Sequence, residues 1–301
     1  MFEQRSLLFL YSLTPVHAGT GTTIGVIDNP IQRERHTHFP MIAGSGIKGS
    51  LRDVCRQKAT DDELDLIFGP PPDRSSEHAG ASSFTDAQIV LFPVRSLKQA
   101  FCYVTCPTAL AVLRRMLSLA QIRPPGQWPE RLVSVPEEKF IPLGKNPPES
   151  LILEAFEFRK DSQSFPAVGE WLSARALPDE PAFQYFREKL KTDTVLIGDE
   201  AFGYFVRNAT LVEPHVRIDD ASGTAQEGGL FYVENLPPES LLVSLLLASR
   251  VRKKTSDRGA DWVVRWLKDK LGGSVVQLGG DSTTGRGQVL INFVTAEEPH
   301  A

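Results

Sequence analysis

Apolar residues along this chain switch between two spacings, and the switches mark out its elements. Residues 6–13 (SLLFLYSL) form a dense apolar and aromatic run stopped by Pro15, which predicts a strand. Ile47, Leu51, Val54 and Cys55 return at helical spacing and predict a short helix opening near Ser45. Strands are predicted at 89–92 and 101–105. Pro107 then opens a helix through Ala120, with Leu110, Leu113 and Leu117 as its core stripe. The Pro-rich stretch 124–148 predicts no element. Residues 151–158 read as one strand, and 166–190 as helical pieces broken by Pro178 and Pro181.

The second half is cleaner. Residues 215–234 read as a hairpin turning at Asp219-Asp-Ala-Ser-Gly223. A strand (240–249), a helix (260–271) and two further strands (275–278 and 288–294) follow. Strand–helix–strand order near both ends fits an α+β sandwich of ferredoxin-like type with large insertions.

Composition narrows the setting. The chain has 301 residues, 41% hydrophobic and 23% charged, which suits a globular protein. The longest apolar run, near Leu241, is strand-sized, so no membrane partner is expected. The opening Met1-Phe-Glu-Gln-Arg5 lacks a signal-peptide layout, and three cysteines give no disulfide framework; a cytoplasmic protein is expected. Net charge is −4, yet 33–58 carries six Lys/Arg against two acids, and 250–270 eight against three. Such local patches can neutralise phosphates in an acidic protein, and they equally suit solvated helix faces.

Three loops combine glycine with polar or basic residues. In Gly44-Ser-Gly-Ile-Lys48-Gly-Ser-Leu-Arg52, glycines open a helix where free N–H groups favour an anion, and Lys48 and Arg52 lie one turn apart. The same loop also reads as a plain helix entry with permissive glycines. In Gly279-Gly-Asp-Ser-Thr-Thr-Gly285-Arg286-Gly287, backbone could lie against a polyanion with Arg286 reaching a phosphate. The third loop runs from His17 through Gly19, Gly21 and Gly25 to Asp28-Asn-Pro30. Its glycine spacing misses the dinucleotide fingerprint, leaving one carboxylate beside Arg33 and Arg35. A loop this rich in Gly and Thr is expected to be mobile without a ligand.

Taken together and in order, these segments resemble the Cmr backbone subunits of the RAMP superfamily, from type III-B CRISPR effectors. The resemblance rests on Thr14-Pro-Val-His17-Ala-Gly-Thr-Gly21, Gly25-Val-Ile-Asp28-Asn-Pro-Ile-Gln-Arg33-Glu34 and Pro40-Met-Ile-Ala-Gly44-Ser-Gly-Ile-Lys48-Gly49-Ser-Leu-Arg52. It continues through Ile67-Phe-Gly69, Phe84-Thr-Asp86, Pro93-Val-Arg95-Ser96, Thr105-Cys-Pro107, Gly229-Leu-Phe-Tyr-Val-Glu234 and the 277–287 loop. It implies one domain over 1–301: a ferredoxin-like (RRM-like) palm with large loops, a β-hairpin thumb at about 215–234 and an active-site loop at about 17–40. It implies a guide crRNA, a target RNA, further copies of the chain in a filament and other Cmr subunits as partners. The implied activity is a metal-dependent endoribonuclease, with Mg2+ or Mn2+ as cofactor. Asp28 matches the catalytic aspartate and would hold the metal, with His17 and Glu234 assisting. Ser45, Gly46, Lys48, Gly49, Arg52, Arg33, Arg35, Gly280, Thr284, Gly285 and Arg286 would bind RNA. The sequence departs from the family at Ser282, where Glu is common, and at Val233-Glu234-Asn235, where a Glu pair is usual. The alternative is a non-catalytic RNA-binding scaffold of the same complex.

Overall fold

The first apolar run becomes an interior strand of the main sheet, paired on both sides. The computed structural model describes residues 2–22, 25–129 and 134–296. In chain order its elements are β1 (Gln4–Ser12), β2 (Met41–Ile42), α1 (Gly44–Cys55), α2 (Asp61–Phe68), β3 (Ser82–Phe84), β4 (Ala87–Ser96), β5 (Ala100–Thr105) and α3 (Pro107–Leu119). Next come β6 (Lys139–Pro142), β7 (Ser150–Leu153), β8 (Phe156–Lys160), α4 (Pro166–Ala176), α5 (Gln184–Thr192), β9 (Thr194–Leu196) and α6 (Asp199–Asn208). The chain then forms β10 (Leu211–Ile218), β11 (Ala225–Asn235), β12 (Leu241–Ala248), α7 (Ala260–Leu271), β13 (Val275–Gln277) and β14 (Gln288–Val294).

The main sheet runs β13-β14-β1-β12-β4-β5-β9-β6-β8-β7, with β2 on β4 and β3 on β12. Its four central strands, β14-β1-β12-β4, are antiparallel throughout. A Ser96–Leu153 pairing brings β7 back onto β4, so the far half curls into a small barrel-like closure. The hairpin β10–β11 forms a separate two-stranded sheet, starting four residues earlier than the sequence predicts.

The burial of β1 and β12 explains why they read as continuous apolar runs rather than alternating ones: both faces are covered. Leu8 and Leu10 enter one core with Ile47, Leu51, Val263 and Leu267 from α1 and α7. Leu7, Phe9 and Tyr11 enter the other with Leu110, Leu113, Leu117 and Leu172 from α3 and α4. Each fully buried leucine contributes about 1.5–3 kcal/mol.

Most of the predicted elements are found, and the differences have local causes. The reading of 151–158 as one strand is corrected to two, β7 and β8, turning at Glu154, whose φ is +51°. Alternation continues through that turn, and Glu-Ala carries no turn signature. The stretch 124–148 contributes β6, which has too few residues for any period to show; its residues 130–133 lie outside the described ones. The short buried β9 escapes for the same reason. In α6, Gly203 interrupts the helical pattern. In α2 a legible capping box, Thr60 with Glu63, precedes an acid-rich segment.

One half-buried acid, Glu239, forms no ion pair among the described residues. The Tyr11 hydroxyl bonds both Glu239 Oε2 and the Tyr103 hydroxyl, the latter at 2.7 Å. Burial pushes the Glu239 carboxyl up to about 8. A carboxyl raised on folding stabilises fully at acid pH, and that contribution is lost as pH rises through its folded value. Glu239→Gln, which cannot ionise, is therefore expected to flatten the fall in Tm between about pH 4.5 and 8. Parallel falls in the two proteins would remove Glu239 as the cause.

Candidate functional site

Three stretches far apart in sequence meet along one edge of β11. Val16 bridges Leu236 antiparallel, Asn29 bridges Val233 in parallel, and Gly19 bridges Ile31. The Asn29 N–H donates to the Tyr232 carbonyl and the Glu234 N–H to the Asn29 carbonyl, both at 3.0 Å. The second half of the loop expected to be mobile is thus laddered onto the hairpin.

This ladder positions Asp28 and His17. The Tyr232 N–H donates to Asp28 Oδ2 at 2.8 Å, leaving Oδ1 for other work. His17 Nδ1 lies 2.7 Å from the Glu234 carbonyl. A carbonyl only accepts, so Nδ1 carries a proton, and in the neutral imidazole it is Nε2 that presents the lone pair. The two anchors are two residues apart on one strand, about 7 Å along it. Gly19 is needed here, because a Cβ on it would come within 2.5 Å of His17 Nε2.

Glu234 sits beneath, only 2% exposed. Its carboxylate pairs with the Arg33 guanidinium and accepts from Thr210 Oγ1 at 2.8 Å and the Ile31 N–H at 3.1 Å. Arg33 also donates to the carbonyls of His38 (2.9 Å) and Val206 (2.8 Å). Both residues are therefore committed inward. What these contacts do in the structure is hold the loop; the catalytic assistance expected of Glu234 and the RNA binding expected of Arg33 belong to the functional reading below. Arg35 remains exposed.

On α1, Ser45, Gly46 and Gly49 face outward, and open space lies where side chains on the two glycines would be. Asp86 Oδ1 accepts the Gly44 N–H at 2.8 Å, so the first helix-terminal donor is already used. Lys48 is half-buried and donates to the Ser82 carbonyl at 2.9 Å. Burial above all, then the Arg52 and Arg252 cations, hold its ammonium below the ordinary lysine range. Arg52 turns inward instead, onto the Gly69 carbonyl (2.7 Å) and the buried Asp65 (3.3 Å). Lys48 and Arg52, expected to clamp RNA together, thus hold different partners in the structure.

The C-terminal glycine loop is stapled under His17. The Gly280 N–H donates to the His17 carbonyl at 2.9 Å and the Gly287 N–H to the Pro15 carbonyl at 2.8 Å. Gly279 has φ +82°, and a Cβ there would lie 2.4 Å from the His17 oxygen, so only glycine fits. Gly280, Thr284 and Gly285 are exposed. Arg286 is not: it pairs with Glu213 of β10, with 14% of its side chain exposed, which ties this loop to the hairpin. Sequence reasoning missed Tyr232, whose contribution is a backbone N–H, and Thr210 and Glu213, which carry no motif.

Removing one member of a buried ion pair leaves the other uncompensated, at a cost of about 3–5 kcal/mol. Glu234→Gln should lower stability in urea by about that amount, and combining it with Arg33→Met should recover part of the loss. A single-variant loss below about 1 kcal/mol would mean that the pair does not hold the loop.

Comparison with known proteins follows this geometry. The RAMP superfamily pattern matches residues 9–290. The CRISPR system Cmr endoribonuclease Cmr4 of Pyrococcus furiosus is 36% identical over 293 residues, covering 95% of each chain. The crystal structure of oligomeric Cmr4 from the same organism superposes with a TM-score of 0.73 at 27% identity, over 98% of this chain and 100% of that one. A chain of a type III-B Cmr-beta complex bound to cognate target RNA gives a TM-score of 0.74 at 20% identity, over 97% and 98%, a likeness of fold. The chain belongs to the RAMP superfamily, among its Cmr subunits of type III-B CRISPR systems.

Proposed function

We propose that this chain is the guide-binding backbone subunit of a type III-B ribonucleoprotein, cutting target RNA at regular intervals with Asp28 in the active site. The observation that carries this reading is the pairing of Asp28 and His17 on one edge of β11, at the base of an exposed hairpin. The name of the Pyrococcus relative, an endoribonuclease, supports it. The central strand order β14-β1-β12-β4, with α1 and α7 as its crossovers, is what a ferredoxin-like palm requires. The hairpin would be the thumb. Val216, Ile218, Leu230 and Tyr232 are all exposed on it, an apolar surface able to wedge against unpaired bases. Copies would stack along the crRNA beside other Cmr subunits, as the oligomeric state of the Pyrococcus structure suggests. No helix of the described residues is long and apolar enough to cross a membrane, and the reading implies work in the cytoplasm.

The chemistry asks little of the protein. RNA carries its own nucleophile, the 2′-OH, and in-line attack on the adjacent phosphate needs a backbone angle that an A-form duplex forbids. A nucleotide displaced by the hairpin can adopt that angle. As His17 takes the 2′-OH proton the 2′-oxygen bonds phosphorus and the P–O5′ bond breaks, leaving a 2′,3′-cyclic phosphate and a 5′-oxygen protonated from solvent; Asp28 would hold the cation that offsets the phosphate's charge. Exposed backbone at Ser45, Gly46, Gly49 and 280–285 would receive the guide, while base pairing reads the sequence.

Among the described residues no three His, Cys, Asp or Glu side chains are grouped to hold a metal ion. A magnesium-type ion commonly takes one or two carboxylates and fills its shell with phosphate oxygens and water, so Asp28 alone fits that pattern. Such an ion would supply charge to stabilise the phosphorane.

In an assembled complex supplied with Mg2+ or Mn2+, Asp28→Ala should slow cutting of a guide-complementary RNA by about 100-fold or more while target binding persists. His17→Ala should slow it similarly. Undiminished cutting by Asp28→Ala would favour the alternative, a scaffold whose nuclease lies elsewhere.

A further inference from the structure

α1 begins without the side chain that usually opens a helix. Ala43 stands at its N-cap, with no side-chain oxygen to accept the orphan N–H groups of the first turn. Two residues from elsewhere in the chain do so instead. Asp86 takes the Gly44 N–H, and Gln32 Oε1 takes the Ala43 N–H at 2.8 Å. The start of α1 is also tightly seated, because a Cβ on Gly44 would lie 2.2 Å from the Phe84 carbonyl of β3.

The other end of the Gln32 amide reaches the loop that carries His17. Its Nε2 donates to the Gly19 carbonyl at 3.1 Å. An N–H only donates and a carbonyl only accepts, so Ala43 and Gly19 between them fix which way the amide points. The Gln32 backbone is held as well: its N–H donates to the Ala18 carbonyl at 2.7 Å, and its carbonyl accepts from Met41 at 3.0 Å. The His17 ring packs directly against Gly19, where a Cβ would come within 2.5 Å of Nε2. Gln32 is half-buried, which strengthens both side-chain bonds against competing water.

We propose that Gln32 is a positioning residue for His17, tying the Gly19 carbonyl beneath the imidazole to the N-terminus of α1. The proposal rests on the reading of His17 as the base that takes the 2′-OH proton. One amide thereby joins the helix expected to lie along the guide and the base expected to act on the target into a single unit. The task needs a donor and an acceptor on one neutral group, which neither a carboxylate nor an apolar side chain of that length supplies. A reacting geometry is lost over about 1 Å of displacement, so releasing Gly19 would be felt at Nε2 with no contact to RNA removed.

Three readouts separate positioning from plain helix capping: single-turnover cutting of a guide-complementary RNA by the reconstituted complex, its target affinity, and the Tm of the full chain. Gln32→Met, similar in length, removes both bonds and should slow cutting about tenfold while target affinity stays within about twofold. Gln32→Glu still accepts from Ala43, where a negative charge suits the helix dipole, but it meets the Gly19 carbonyl with a second acceptor. It should melt like wild type and cut as slowly as Gln32→Met. Added to His17→Ala, Gln32→Met should cost nothing further, because it acts through that ring. Should Gln32→Met melt too low to assemble, the Gln32→Glu comparison still decides. Full cutting by Gln32→Glu would reduce Gln32 to a helix cap and overturn the proposal. So would an undiminished penalty in the His17→Ala background, or a loss confined to target affinity. Undiminished cutting by His17→Ala alone would bring down the reading beneath, and the proposal with it.

Discussion

A single buried carboxylate holds the site together. Glu234 gathers a guanidinium from the returning limb of the loop, an N–H from the same limb and a hydroxyl from the turn before β10. Burying an unpaired carboxylate is costly, so the three donors are obligatory partners rather than optional ones. Once they are in place, residues 29–31 lie along β11, and Asp28 and His17 hang from fixed positions on the same strand. The placement of Asp28 and His17 is thus a consequence of a polar knot around Glu234.

The rest of the molecule makes such a knot affordable. A sheet covered on both faces, with Leu8 and Leu10 in one core and Leu7, Phe9 and Tyr11 in the other, leaves β1 and β12 little freedom to move. From this frame the hairpin projects with its apolar side chains uncovered. Two contacts brace its base: the Glu234 knot on one side and the Arg286–Glu213 pair on the other. The second brace links the glycine loop beneath His17 to the strand opposite β11. Around it, Gly46 and Gly49 on α1 and Gly280 and Gly285 on the glycine loop leave backbone exposed.

How much of this was legible in the sequence depended on the range of the interaction. Local periodicity marked β14 and α7 at their observed ends, and the quoted motifs carried the family. Asp28 and His17 could be named because they sit in those motifs. Arg33, Arg52 and Arg286 were read as cations for RNA because each lies among glycines and other bases. All three are spent on acids, Glu234, Asp65 and Glu213, and the first of these lies 201 residues away. Charge counting along a chain is blind to such pairing. Elements such as β6 and β9 were too short for any period to declare them.

The claim that matters most is that each copy of this chain cuts with its own Asp28. Complexes reconstituted from mixtures of wild-type and Asp28→Ala chains, on one guide and one target, would test it directly. If the account is right, every regularly spaced cut should decline in proportion to the mutant fraction, with the spacing unchanged. Cuts that keep full intensity as wild type is diluted would place the nuclease in another subunit and contradict it.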